Sequence, residues 1–246
     1  MRNIVIENVN ELENNLQYYY NLTHKIEKDF GGPSIYFHIE SIKELKSNLL
    51  SNRHIEMIYA TLASWGMHRL GPPDETKTKL TDFTEFNNSI LAFREVFNCL
   101  QSLDLRTISD DDLEHVLCKE LKNIFYGLKV SISDSFLVAN SKTMHHILPN
   151  LIPPIDRQYT VRFFYYMKSE FYNRNHKFKG IPLPSSIDDQ YLYFCKILKN
   201  YKKIIANNFF TNIPIEVNSF NTSILKVLDN LIMAFIKYPS MVNGTT

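Results

Sequence analysis

The chain of 246 residues and 28.9 kDa is long enough to bury a sizeable hydrophobic core in one large domain or two small ones. Apolar residues make up 44% and charged residues 22%, which excludes a disordered tail, a collagen-like repeat and a disulfide scaffold. The three cysteines, Cys99, Cys118 and Cys195, lack the spacing of a zinc site or of a disulfide framework. No apolar stretch is long enough to span a membrane, and the N-terminus lacks the apolar segment of a signal peptide. We therefore expect a cytoplasmic protein without a metal or a cofactor.

The charge is unevenly distributed although the net charge is only +1. Residues 1–141 carry a net charge of −6, and residues 142–203 carry +7, with eleven Lys and Arg against four Asp and Glu. A basic segment of this kind can bind a polyanion such as DNA, and the alternative is that it forms a solvated face with no such partner.

Apolar residues recur three and four positions apart from end to end, which predicts an all-α protein. The first three helices are expected over residues 9–27, 39–50 and 55–65. Gly31-Gly32-Pro33 separates the first two, and Leu70-Gly71-Pro72-Pro73 leads into an exposed loop over residues 74–79.

The same pattern predicts five or six further helices in the second part of the chain. Thr84 is the expected N-cap of a helix that ends at Leu100, and Ser109, which precedes three aspartates, caps another that ends at Gly127. Further helices are expected over residues 135–148, 157–172, 187–206 and 222–238. The arrangement is a compact multi-helix domain over residues 1–246, and two helical lobes, 1–130 and 131–246, are also compatible with it.

Residues 136–164, FLVANSKTMHHILPNLIPPIDRQYTVRFF, carry many chemical groups in a short window. A Lys-Thr pair, a proline-rich loop and an Asp just before the next helix follow one another. This window resembles the core of the helix–hairpin–helix superfamily of base-excision DNA glycosylases. In that family a Gly-rich hairpin grips DNA phosphates, a Lys-Thr pair opens the next helix, and a catalytic Asp lies in a V-D-x-H-V-x-R-like run.

Ser141-Lys142-Thr143 matches the opening of that helix, and residues 155–162, IDRQYTVR, match the Asp run. The resemblance implies that Lys142 is the Schiff-base amine of a glycosylase with AP-lyase activity and that Asp156 stabilises the positive charge developing on the sugar. It also implies a helix–hairpin–helix fold and DNA as the partner, and Arg162 matches the Arg of the run. Val138 and Asn140 stand where the family's hairpin has glycines. The alternative reading of Asp156 is an N-cap of the helix that follows it.

Several other side chains are candidates for substrate contact. Trp65 lies in a window with small neighbours, and an aromatic ring beside a basic residue can stack on a base. The alternative is that Trp65 fills the core. His145 and His146 lie three and four residues after Lys142 on the same helix, where a buried, hydrogen-bonded histidine is the alternative reading. The candidate binding residues are Trp65, His68, Arg69, His145, His146, Arg157, Tyr159 and Arg162.

The sequence thus predicts an α-helical, DNA-acting protein similar to these glycosylases, with Lys142 and Asp156 in its site. Two alternatives remain open. One is a non-enzymatic helical module that binds nucleic acid or an acidic protein, and the other is an unrelated helical enzyme that acts on an anionic metabolite.

Overall fold

Helices account for the regular structure of this chain. The computed structural model describes residues 3–29, 31–67, 79–170, 181–216 and 218–238. In these ranges there is no β-strand, and one isolated bridge joins Leu80 to Ser131. The all-α prediction is therefore confirmed. The α-helices are α1 (Ile6–Asn14), α2 (Leu16–Asp29), α3 (Pro33–Ser47), α4 (Asn52–Ser64), α5 (Phe83–Leu91), α6 (Arg94–Leu100), α7 (Asp110–Cys118), α8 (Glu120–Gly127), α9 (Phe136–Ile147), α10 (Arg162–Tyr165), α11 (Ile187–Ile205) and α12 (Ile224–Lys237).

Polar side chains define where several helices begin. Ser109 accepts a hydrogen bond from the backbone N–H of Asp112 and caps α7, as predicted. The predicted cap at Thr84 is wrong, because Asp82 caps α5 and accepts from the N–H groups of Thr84 and Glu85. Ser223 caps α12 by accepting from the N–H of Lys226. The predicted loop over residues 74–79 lies mostly outside the described residues.

Three of the predicted helices are divided in the structure. The helix predicted to run from Ser109 to Gly127 separates at Lys119, whose backbone is not helical (φ −123°, ψ −78°). The helix predicted over residues 9–27 separates at Asn15, whose amide donates to the carbonyl of Glu11 and competes with the helical hydrogen bonds. The helix predicted to run from residue 84 to residue 100 separates at Phe93. There the ring of Phe93 packs so closely on Gly127 that a Cβ at residue 127 would lie 2.3 Å from it.

The helix predicted over residues 157–172 is wrong in its extent. Arg157–Val161 forms a π-helical turn and α10 ends at Tyr165, after which Tyr166 is extended. Tertiary contacts from the first helix explain this end. The backbone N–H of Val5 donates to the carbonyl of Phe164, and the amide of Asn8 donates to the carbonyls of Phe163 and Tyr166.

Helix α12 forms the centre of the packing. All of its residues from Ile224 to Ile236 are buried, with α2 along one side and α11 and the turn after Asp156 on others. Helix α9 is buried from Leu137 to Ile147 and contacts α3, α4, α8 and α11. Elements from both ends of the chain therefore surround the residues of α9 and α12.

Asn8→Ala tests the attachment of α1 to the rest of the core. The Asn8 side chain is buried, and the variant leaves two carbonyls without their donor, so we expect a loss of about 2 kcal/mol or more in the free energy of unfolding. Urea denaturation measures this. Asn15→Ala, which removes only a local hydrogen bond to Glu11, is the matched control and should cost less than about 1 kcal/mol. Equal losses in the two variants would contradict the account.

Candidate active site

Lys142 and Asp156 are brought together by the loop that leaves α9. Lys142 lies in the middle of α9, and the proline-rich segment after it returns the chain so that Lys142 Nζ donates to Asp156 Oδ2 at 2.9 Å. Ser141 Oγ accepts from the N–H of Ile155 and holds this loop against α9. The structure therefore places the two predicted catalytic residues in direct contact.

Asp156 uses both carboxylate oxygens. Oδ1 accepts from the N–H groups of Gln158 and Tyr159, at 2.7 and 3.3 Å, and Oδ2 binds Lys142. The reading of Asp156 as an N-cap is confirmed, and the same side chain is also an ion-pair partner. Burial acts to raise the pKa of Asp156, but the Lys142 charge and the N–H donors outweigh it and the pKa lies below its ordinary value. Asp156 is consequently a stable anion.

The structure differs from the expected hairpin around Lys142. Val138 and Asn140, the residues matched to the hairpin glycines, lie inside α9, and the Lys-Thr pair stands in the interior of a helix that begins at Phe136. Asn140 donates to the carbonyl of Phe125 and is buried. A backbone turn that could grip phosphate is therefore absent from this position of the described chain.

A second lysine–aspartate pair lies on α12. Lys226 Nζ donates to Asp229 Oδ2 at 2.6 Å, and the two side chains are only 2% and 6% exposed. Burial lowers the pKa of Lys226 and raises the pKa of Asp229, in each case against the opposing effect of the partner's charge. Sequence reasoning missed this pair as a site, although Lys226 and Asp229 interrupt an otherwise apolar helix.

Trp65 connects the two pairs. It follows α4, and its indole Nε1 donates to the carbonyl of Ser34. Lys142 Nζ and Lys226 Nζ each lie 5.4 Å from the centre of the Trp65 ring, which is within the range of a cation–π interaction. Lys226 Nζ also lies 3.9 Å from the centre of the Phe220 ring.

These groups surround a cavity of about 250 Å³. Two ammonium groups and two carboxylates give its polar surface no net formal charge. Aromatic, methionine and proline side chains, two serines and a glycine supply the rest of the wall. The lining residues are Ser34, Ser64, Trp65, Gly66, Lys142, Pro154, Asp156, Tyr159, Phe220, Lys226, Asp229 and Met233.

Only some of the residues predicted to bind substrate line the cavity. Trp65 and Tyr159 line the cavity with Lys142 and Asp156. Arg157 is partly exposed and Arg162 is fully buried, where it donates to Gln158 Oε1, and neither lines the cavity. His68 and Arg69 lie outside the described residues.

His145 and His146 belong to a group of four buried histidines next to Trp65, together with His38 and His54. His146 Nδ1 lies 2.7 Å from the Lys142 carbonyl, so it donates there and its Nε2 accepts from His38 Nδ1 at 3.0 Å. His38 Nε2 then accepts from the hydroxyl of Thr222 at 2.8 Å. His145 and His146 thus do not line the cavity.

Hydrogen bonds also determine which ring nitrogen donates in the remaining two histidines. The N–H of Leu50 donates to His54 Nδ1, which leaves Nε2 to donate to the His146 carbonyl, and His145 Nδ1 donates to the Ile152 carbonyl. Burial lowers the pKa of all four, to about 4 for His54 and about 3 for His146. Among the described residues, no group of three or more His, Cys, Asp or Glu is arranged to hold a metal ion.

The basic segment 142–203 is largely neutralised where the structure describes it. Lys142 and Arg162 are buried, and Arg174, Lys177 and Lys179 lie outside the described residues. Three other lysines pair with acidic residues from earlier in the chain: Lys168 with Glu11, Lys199 with Glu114 and Lys202 with Asp110. The exposed or partly exposed cations that remain are Arg157, Lys196 and Lys203.

Comparison of the chain with protein-family models, with curated proteins and with solved structures gives no match. Among the described helices, none combines the length and the apolar character needed to cross a bilayer.

Because the four histidines are buried as neutral groups, we expect the stability of the folded protein to fall at acid pH. Their pKa values in the folded protein lie below the ordinary 6.5, so the unfolded chain binds more protons and the free energy of unfolding falls as the pH drops below about 6.5. Each histidine contributes up to about 1.4 kcal/mol per pH unit. Urea denaturation at several pH values between about 7.5 and 5 measures the slope.

His54→Gln should reduce that slope by the contribution of one histidine. The control is His115→Gln, because His115 is on the exposed surface. A free energy of unfolding that stays constant over this pH range in the unsubstituted protein would show that the histidines are not held neutral.

Proposed function

We propose that the protein acts on DNA as a base-excision glycosylase with AP-lyase activity. Lys142 is the amine that attacks the anomeric carbon of the deoxyribose, and Asp156 is the carboxylate that stabilises the positive charge developing on the sugar. The observation that carries this proposal is the 2.9 Å contact between Lys142 and Asp156 on a cavity that Trp65 also lines.

The charge of the cavity supports this substrate class. Because its two ammonium groups are balanced by two carboxylates, it suits a neutral base and sugar better than an anionic metabolite. Trp65 and Tyr159 offer aromatic surface on which a base removed from the duplex can stack.

The lowered pKa of Asp156 supports its role. A carboxylate that remains ionised complements an oxocarbenium-like centre, whereas a carboxyl group that readily takes up a proton would not. Lys142 must first lose a proton to solvent. Its amine then displaces the base, which leaves with a proton as the bond from nitrogen to the anomeric carbon forms, and opening of the sugar ring gives an imine. The imine makes the neighbouring sugar C–H acidic, loss of that proton expels the 3′ phosphate, and hydrolysis of the remaining imine frees Lys142.

Because the residues matched to the hairpin lie inside α9, other residues must contact the phosphates of the DNA backbone. Arg157 follows Asp156 directly and is partly exposed, so we assign it the phosphate next to the extruded nucleotide. We therefore carry over from the helix–hairpin–helix family only the catalytic roles of Lys142 and Asp156, and not the hairpin that binds phosphate.

A second candidate is a non-enzymatic module that binds nucleic acid or an acidic protein. It is favoured by the bonding of Asp156, whose two oxygens are used by an N-cap and an ion pair, because both roles stabilise a fold without any reaction. This candidate requires salt-dependent binding without a product.

Trapping with borohydride separates the two candidates. Duplex and single-stranded DNA that contain an abasic site or 8-oxoguanine are incubated with the protein at two salt concentrations, and a covalent adduct is detected by gel electrophoresis. We expect an adduct that is lost in Lys142→Ala and in Lys142→Arg, and base release slowed about 10²-fold or more in Asp156→Asn.

Lys119→Ala is the control, because Lys119 is exposed and is not one of the residues that line the cavity. Circular dichroism checks that each variant is folded. Unchanged activity in both Lys142 variants and in Asp156→Asn would contradict the proposal, and binding without an adduct would leave the second candidate.

A further inference from the structure

The proposed lyase reaction leaves the buried pair on α12 without a role. We propose that Lys226 is a second reactive amine of the cavity, that it forms an imine with a small aldehyde or ketone bearing an aromatic group, and that Asp229 carries the proton. This inference requires only that a carbonyl compound enters the cavity, and it does not depend on a nucleic-acid substrate.

The surroundings of Lys226 point to this chemistry. Its side chain is 2% exposed, its Nζ lies 3.9 Å from the centre of the Phe220 ring and 5.4 Å from the centre of the Trp65 ring, and it lines the cavity. Desolvation and a neighbouring cation are the two conditions that make a lysine nucleophilic, and the second cation here is Lys142, over the same indole.

The cavity has room for the ligand. Its volume is about 250 Å³, and an apolar cavity of roughly 150 Å³ holds a benzene molecule. The rings of Trp65, Phe220 and Tyr159 line its wall, so an aromatic group on the ligand finds matching surface.

The acid–base properties of the pair agree with the geometry. The pKa of Lys226 is lowered by burial and also by the charge of Lys142, while the pKa of Asp229 is raised by burial. These shifts bring the proton affinities of the amine and the carboxylate closer together, so the proton in their 2.6 Å hydrogen bond can move to Asp229.

Imine formation needs no group besides Lys226, Asp229 and the carbonyl compound. Asp229 takes a proton from Lys226, the neutral amine adds to the carbonyl carbon, and a proton moves from nitrogen to oxygen to give a carbinolamine. Asp229 then returns its proton to the hydroxyl group, which leaves as water. The products are a protonated imine on Lys226, the Asp229 carboxylate and one water molecule.

Reductive labelling of the native protein tests this inference without DNA. The protein is incubated at neutral pH with benzaldehyde and sodium cyanoborohydride, and the rate of modification at each lysine is measured by peptide mass spectrometry. Lys119, which is 68% exposed, is the internal reference. Because a lowered pKa leaves a larger fraction of a lysine in the neutral, nucleophilic form, we expect Lys226 to be modified faster than Lys119.

Two variants separate the roles in the pair. Lys142→Met should slow labelling at Lys226 but not at Lys119, because it removes the neighbouring cation and leaves the negative charge of Asp156. Asp229→Asn should also slow it, since the proton carrier is lost, whereas an Asp229 that only holds Lys226 protonated would give faster labelling. Labelling of Lys226 no faster than that of Lys119 in the native protein would overturn the proposal, whatever the DNA experiment shows.

Discussion

The burial of α9 on all sides is the constraint on which the site depends. A helix with no solvent-facing side must find partners inside the protein for each polar side chain it carries. Asn140 donates to Phe125, Thr143 donates to Ala139, His145 donates to Ile152, and Lys142 finds Asp156 across the loop. The Lys142 ammonium is consequently held in one position next to the cavity before any ligand arrives. Such preorganisation is what a nucleophile or an electrostatic catalyst requires.

The second constraint is the cost of placing Lys226 and Asp229 inside α12. Two buried charges cost several kcal/mol each in desolvation, and replacing such a pair by apolar residues is often neutral or stabilising. A helix whose other positions are predominantly apolar would pack well without them. The pair therefore has its best explanation in the cavity that it lines, where it brings a second amine next to Trp65 while leaving the site without net formal charge.

Local signals in the sequence were sufficient for much of the fold and for one half of the site. Helical spacing and the cap at Ser109 predict real helices, and the sequence places Lys142 and Asp156 in one window without predicting their direct contact. The end of α10 was not predictable, because it depends on Asn8 from the other end of the chain. Lys226 was missed for the same reason. Its closeness to Trp65 arises only when α12 packs in the core, and the one local signal was a charge within an apolar helix.

The most direct test of this account is a double-mutant cycle on the α12 pair, measured as the free energy of unfolding. Lys226→Met and Asp229→Leu should each destabilise the protein by about 3–5 kcal/mol, because each leaves a buried charge without its partner. The double variant should return to within about 1 kcal/mol of the unsubstituted protein or exceed it, as expected if the pair serves the cavity rather than stability. A double variant as unstable as the sum of the two single variants would show that the two charges do not compensate each other, and would contradict the central claim.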